Sequence, residues 1–144
     1  VREHVMKRIK FSDYEPGAEI PGLKVGPVKH MDLVRYSGAS GDFNPIHTDP
    51  EFGKSVGLGG TIAHGMYIMA LMGRMCTNWV HPGQMKDFAV KFKGMTKPGE
   101  MVVCTGKIKK KKEDNGEKLL IVDVQAANEA GEVKVSGELV VKAD

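Results

Sequence analysis

The sequence predicts an α+β protein in which one long, buried helix is wrapped by a curved antiparallel sheet. Two observations carry that prediction. The stretch from His64 to Trp79 is apolar on nearly every face, which places it inside other structure rather than on a surface. After His81-Pro82-Gly83 the pattern changes to alternating strands joined by short turns. A third stretch, SGDFNPIHTDP from Ser40 to Pro50, fits neither pattern: it gathers an acid, an amide, a proline and a histidine where little core can form.

The elements follow in order. Residues 1–27 carry turn signals at Glu15-Pro16-Gly17, Pro21-Gly22 and Gly26-Pro27 and are expected to be irregular, with 1–16 a peripheral lead. Lys29 to Tyr36 reads as a short helix with Met31, Leu33 and Val34 on its apolar side, ended by Gly38 and Gly41. Asn44 precedes Pro45, which drives Asn44 out of the α region, so the chain must curl between Asp42 and His47. Asp49-Pro50-Glu51 has the form of a helix start: a capping carboxylate, proline in the first position, an acid in the first turn. That helix should run from Pro50 to Val56 and close at Gly57-Leu58-Gly59-Gly60. The apolar helix from His64 to Trp79 would span about 24 Å, the width of a small sheet.

Phe88, Val90 and Phe92 alternate with polar neighbours, the period of a half-buried strand. Met101 to Lys112 and Lys118 to Asn128 are expected as two long strands around an Asn-Gly hairpin turn at Asp114-Asn115-Gly116-Glu117. A turn at Asn128 to Glu132 then leads into a last strand, Val133 to Lys142. Wrapping the helix in this meander is the simplest way to bury it.

Composition narrows the function. At 144 residues the chain suits one domain, 1–144. Its 41% hydrophobic and 27% charged residues exclude a disordered composition. A net charge of +3 with 6% aromatics lacks the basic, aromatic-interleaved stripe of a nucleic-acid binder. No run is long enough to span a membrane and VREHVMKRIKFSDYEPG has no signal-peptide core, so a soluble, cytoplasmic protein is expected. Cys76 and Cys104 lack CxxC spacing and sit in apolar runs, as buried reduced thiols do. The run KIKKKK, Lys107 to Lys112, reads as a solvated strand end, or else as a patch for nucleotide phosphates or an acidic carrier protein.

Chemistry concentrates between residues 42 and 69. Asp42 and His47 are either ordinary turn residues or an acid/base pair, in which a carboxylate orients an imidazole that titrates near neutrality. Asn44 either bonds the turn backbone or holds the ring of His47. His64-Gly65 opens the central helix, where the first N–H groups lack intrahelical acceptors and the dipole is positive. A substrate carbonyl placed there would have its developing charge stabilised, and Gly65 would let it approach; tight packing is the other use of that glycine. His64 alone reads as a structural histidine before a catalyst. Asp42, His47, His64 and His81 offer no HxxxH helix and no facial-triad spacing, so no metal is expected. Met66, Met69 and Met72 are core packing or a soft wall for an acyl chain.

Tyr36 to Pro50, YSGASGDFNPIHTDP, closely resembles the hydratase-2 motif of the MaoC-like family of (R)-specific enoyl-CoA hydratases and (3R)-hydroxyacyl-thioester dehydratases. Ile62-Ala63-His64-Gly65-Met66 is similar to the start of that family's central helix. The resemblance implies a single hot-dog fold, paired as a homodimer or higher oligomer, with a heterodimer as the alternative. It implies Asp42 and His47 as the catalytic pair, Gly65 as the oxyanion N–H donor and Asn44 as the supporting residue of the motif; Asn44, His64, Met66 and Met69, which flank these groups, are expected to bind substrate. The implied reaction is reversible hydration of trans-2-enoyl thioesters in fatty acid metabolism, on coenzyme A or acyl carrier protein, with no cofactor beyond the substrate's own carrier. A hot-dog thioesterase is the competing enzyme, but such enzymes usually lack the D-x-N-P-x-H arrangement. A non-catalytic or catalytic subunit of a heteromeric dehydratase is the third reading, and the intact Asp42/His47 pair disfavours its inactive form.

Overall fold

A computed structural model describes residues 7–144. The chain runs β1 (Leu23–Val25), α1 (His30–Ser40), α2 (Pro45–Thr48), α3 (Pro50–Ser55), α4 (Gly65–Trp79), β2 (Met85–Phe92), β3 (Val102–Asp114), β4 (Glu117–Ala127) and β5 (Val133–Lys142). The strands form one antiparallel sheet in the order β1-β3-β4-β5-β2, curved around α4. Asn115 and Gly116 take left-handed φ values of 49° and 77° between β3 and β4, the two-residue turn whose twist matches paired strands.

The core lies between α4 and the sheet. Met72 and Met75 on the helix meet a cluster that includes Leu120 and Val122 of β4 and Leu139 and Val141 of β5, none more than 1% exposed. Each such side chain contributes about 1.5–3 kcal/mol by leaving water. On β4 the alternate residues Asp123 and Gln125 stay exposed on the outer face.

The structure differs from expectation in four places. The helix is not enclosed all round: Ile68, Leu71, Met72, Met75, Cys76 and Trp79 are buried, but Met66 is 55% exposed, because five strands cover only one side. Helix α1 runs past Gly38 to Ser40 and turns Leu33 and Ser37, one turn apart, inward, leaving Met31 and Val34 outside. The lead is not wholly irregular, since β1 pairs with β3, and Ala18 and Ile20 exchange backbone hydrogen bonds with Ile108 and Gly106.

Nor is the described part of 1–16 peripheral; residues 1–6 lie outside the described residues. Ile9 is buried, and its N–H and C=O are both bonded, at 2.9 Å each, by the side-chain amide of Gln84. Tyr14 packs edge-on to Trp79 and accepts its indole N–H at 2.9 Å, closing the C-terminal end of α4.

Much of the lysine run is paired. Lys109 meets Glu138, Lys111 meets Glu15 and lies over the Phe11 ring, and Lys112 stands 4.0 Å from Asp114. That favours the solvated strand end over an anion patch. Both cysteines are buried, and burial pushes the Cys76 thiol up to about 11 and Cys104 to about 12. No helix among the described residues is long and apolar enough to cross a membrane.

Candidate active site

The curl predicted between Asp42 and His47 is built from side-chain bonds to the backbone. Helix α1 ends as Gly41 N–H bonds Ser37 C=O at 2.9 Å. Asp42 Oδ1 then accepts the Asn44 N–H at 3.2 Å, and Asn44 Oδ1 accepts the Ile46 N–H at 3.2 Å, capping α2. Asn44 sits at φ −53°, ψ 127°, out of the helical region as its proline neighbour requires. Asp49 repeats the device for α3, its carboxylate accepting the N–H groups of Glu51 and Phe52.

Helix α2 is docked by a reciprocal pair. Ile62 N–H donates to Ile46 C=O at 3.0 Å, and His47 Nδ1 donates to Ile62 C=O at 2.7 Å. A carbonyl only accepts, so Nδ1 carries a proton and Nε2 is the nitrogen whose proton can come and go. Nε2 faces Asp42, whose Oδ2 lies 3.8 Å away. The pair is half wet: the Asp42 side chain is 52% exposed and that of His47 is 10% exposed.

The segment that orients His47 is itself held from the sheet. Ala63 N–H donates to Thr96 C=O at 2.7 Å. The preceding residue, Met95, receives on its carbonyl the buried ammonium of Lys134 at 2.8 Å, which also pairs with Glu132 at 3.0 Å and Glu100 at 3.4 Å. Burial pushes the Glu100 carboxyl up, but hydrogen bonds from Asn128 and the Lys97 N–H, with the Lys134 charge, hold it below its ordinary range.

Gly65 opens α4, so its N–H has no acceptor a turn earlier. A close approach favours the glycine: a Cβ there would stand 2.9 Å from two ring carbons of Phe92. The neighbour that crowds this Cα is an aromatic ring of the protein. Met66, next along α4, is exposed and Met69 is half-buried one turn on.

Two residues have their polar side chains engaged by the protein itself. Asn44 spends its carbonyl on the α2 cap, the turn-backbone use of the two expected for it, rather than on the His47 ring. His64, expected to bind substrate, is 2% exposed, and its Nε2 is engaged by Ser37 Oγ at 3.0 Å and Asp42 C=O at 3.2 Å. Burial holds its imidazole below the usual histidine range. Its ring stacks on that of His47 with centroids 3.8 Å apart and 25° between planes.

Asp42, His47 and His64 thus form a cluster whose ligand-type atoms lie within 4.8 Å of one another. The stack makes it a poor metal cage. A metal must lie about 2 Å from each nitrogen and in each ring plane, and two near-parallel rings stacked at 3.8 Å do not aim their lone pairs at one point. His81 is elsewhere, capping a turn beyond the far end of α4 through Gly83 N–H. The Ile62 carbonyl, Ser37 and Phe92 were not singled out from sequence. Ser37 lay inside the quoted motif; a backbone carbonyl and a cross-sheet ring leave no local signal.

The MaoC-like domain model matches residues 13–130. A fatty acid synthase subunit beta from Aspergillus oryzae is 38% identical over 76 residues, 50% of this chain and 4% of that protein. Across the first curated relatives the chain spans between 3% and 17% of their length. The R-hydratase PhaJ1 from Pseudomonas aeruginosa superposes with a TM-score of 0.81 at 24% identity, covering 94% of this chain and 86% of that one. A MaoC-like dehydratase superposes at 0.82 with 31% identity, covering 95% of this chain and 43% of that one. The helix wrapped in an antiparallel sheet is therefore a hot-dog fold, and the chain belongs to the MaoC-like domain family.

Proposed function

We propose that this chain catalyses the reversible hydration of trans-2-enoyl thioesters to (3R)-hydroxyacyl thioesters, carried on coenzyme A or acyl carrier protein. The observation that carries the reading is the 3.8 Å gap between the free Nε2 of His47 and Asp42 Oδ2. It is too long for a direct hydrogen bond, yet one water at about 2.8 Å can reach both groups. His47 Nε2 takes a proton from that water as its oxygen bonds the β-carbon. The displaced electron pair moves to the thioester oxygen, where the Gly65 N–H and the helix terminus offset the charge. The same Nε2–H then returns its proton to the α-carbon, and the Asp42 carboxylate holds the water and balances the transient imidazolium. Elimination runs the steps backwards. No electron is exchanged, so the reading requires no redox cofactor.

The large apolar side chains left outside, among them Phe43 at 65%, Met66 at 55%, Phe92 at 53% and Met95 at 52%, support assembly with a second copy or a related chain. So does β2, whose second edge has no strand beside it among the described residues. Light scattering of the purified chain tests that part.

The test of the reaction is loss of enoyl-thioester absorbance with crotonyl-CoA and longer enoyl substrates, followed by chiral analysis of the product. Asp42→Asn and His47→Gln are each expected to lower the rate by roughly 10²- to 10⁴-fold with little change in melting temperature. Full activity in either variant would overturn the mechanism.

A further inference from the structure

We propose that Ser37 and His64 form a buried positioning pair for the dyad, His64 holding Asp42 by its backbone carbonyl and His47 by the face of its ring. The inference rests on the proposed roles of Asp42 and His47. Asp42 needs such a hold, because its side chain is half exposed and it sits in a bend between two helices. His64 Nε2 reaches Asp42 C=O at 3.2 Å and Ser37 Oγ at 3.0 Å. The carbonyl can only accept, so Nε2 carries the proton and shares it between the two oxygens. One nitrogen thereby ties α1, the 42–44 bend and the cap of α4 together. Tyr36 meets the His64 ring edge-on at 4.8 Å, and His47 lies stacked on it at 3.8 Å.

The tautomer has a second consequence. His64 Nδ1 is buried and makes no hydrogen bond among the described residues. Adding a proton there would create a donor without an acceptor, so the ring stays neutral. A neutral ring at stacking distance leaves His47 able to take the charge the reaction gives it, whereas a charged one would oppose it. The other titratable groups around the pair are consistent with this arrangement. Asp42 faces His47 directly, Tyr36 from α1 packs on His64, and Tyr67 from α4 packs on Tyr36. Asp32 acts on Tyr67 by its charge, and His30 lies 3.3 Å from Thr61 Oγ1.

The test pairs a substrate-free measurement with kinetics. Hydrogen exchange of the Asn44 amide, which Asp42 Oδ1 holds, and of the His47 Nδ1–H is followed by NMR in the wild type, Ser37→Ala, His64→Phe and His64→Gln, and kcat and KM are measured for each on crotonyl-CoA. His64→Phe keeps a stacking ring and loses the N–H. It is expected to speed exchange at Asn44 as the Asp42 carbonyl is released, and to reduce kcat roughly 10- to 100-fold with KM within about twofold. His64→Gln keeps a donor at the same reach and loses the stack, so Asn44 should stay protected while the His47 Nδ1–H exchanges faster and kcat recovers only in part. Unchanged exchange at both sites in His64→Phe and Ser37→Ala, with lowered melting temperature alone, would overturn the proposal and leave His64 a packing residue. Because exchange needs no substrate, inactivity on every thioester would sink the hydratase reading while this result still stood or fell by itself. If His64→Phe does not fold, His64→Gln decides: wild-type exchange at His47 together with wild-type kcat would overturn the role given to the stack.

Discussion

Replacing Gly65 with alanine puts one methyl group where the structure has none to spare. The new Cβ would stand 2.9 Å from Cδ1 and Cε1 of Phe92, against about 3.5–4.0 Å for an ordinary carbon contact. An overlap of about 0.6 Å or more must be relieved. The α4 backbone is fixed by its hydrogen bonds and Phe92 is 53% exposed, so the ring will swing away rather than the helix. Overpacking of this kind costs about 1–3 kcal/mol, and the mobile partner puts it at the lower end, about 1–2. For a chain of this size that lowers the melting temperature by roughly 3–8 °C. Thermal melts and crotonyl-CoA hydration should be read together on Gly65→Ala, Phe92→Leu and the double variant. The expected outcome is that Phe92→Leu restores most of the lost stability in the double variant without restoring the rate, because the methyl still crowds the approach to the Gly65 N–H. A single variant that melts like the wild type would refute the packing argument. A double variant with full activity would refute the claim that substrate also needs the bare Cα.

Three further outcomes follow from the structure. Met72→Ala removes a fully buried side chain at the centre of the helix–sheet contact and should cost about 2–5 kcal/mol, read as a drop in denaturation midpoint without a change of slope. His64 has a folded-state pKa held below its ordinary 6.5, so the unfolded chain binds its proton first as pH falls. Its contribution to stability is present above that value and is lost as pH drops from 6.5 towards the folded pKa; chemical denaturation of wild type and His64→Phe across that window should show the steeper slope in the former. Cys76 and Cys104, with thiols pushed up to about 11 and 12, should resist a thiol reagent at neutral pH until the chain is unfolded, and rapid labelling of the native protein would contradict their burial.

What could be read from the residues depended on how local its cause was. The Asn44-Pro45 pair, the Asp49 cap and the Asn115-Gly116 turn are decided within a few residues, and each stands where the spacing put it. Strand β5 has its expected bounds because alternation is also a local property. The inward face of α1 is not decided locally: Met31, Leu33 and Val34 are all apolar, and only the partner surface selects Leu33. Ile9 and Tyr14 looked like a loose lead because the groups that hold them, Gln84 and Trp79, are more than sixty residues away. The motif made Asp42 and His47 visible, but not that His64 would be buried behind them, since its placement depends on Ser37 and Tyr36 of α1 converging on it with Asp42 of the following bend.

The reciprocal bonds between Ile46, His47 and Ile62 set a limit on transplantation. Moving the six residues Asp42 to His47 onto another scaffold would carry both side chains and leave behind the carbonyl that decides which imidazole nitrogen is free. The smallest portable unit must include the segment through Gly65, and that segment is registered by Thr96, which hangs next to the Met95 carbonyl held by Lys134. The bonds that hold a histidine on the second helix thus run back, through Ile62, Ala63, Thr96 and Met95, to a lysine on the last strand that it does not touch. A designer who wants this dyad elsewhere has to borrow that end of the sheet along with it.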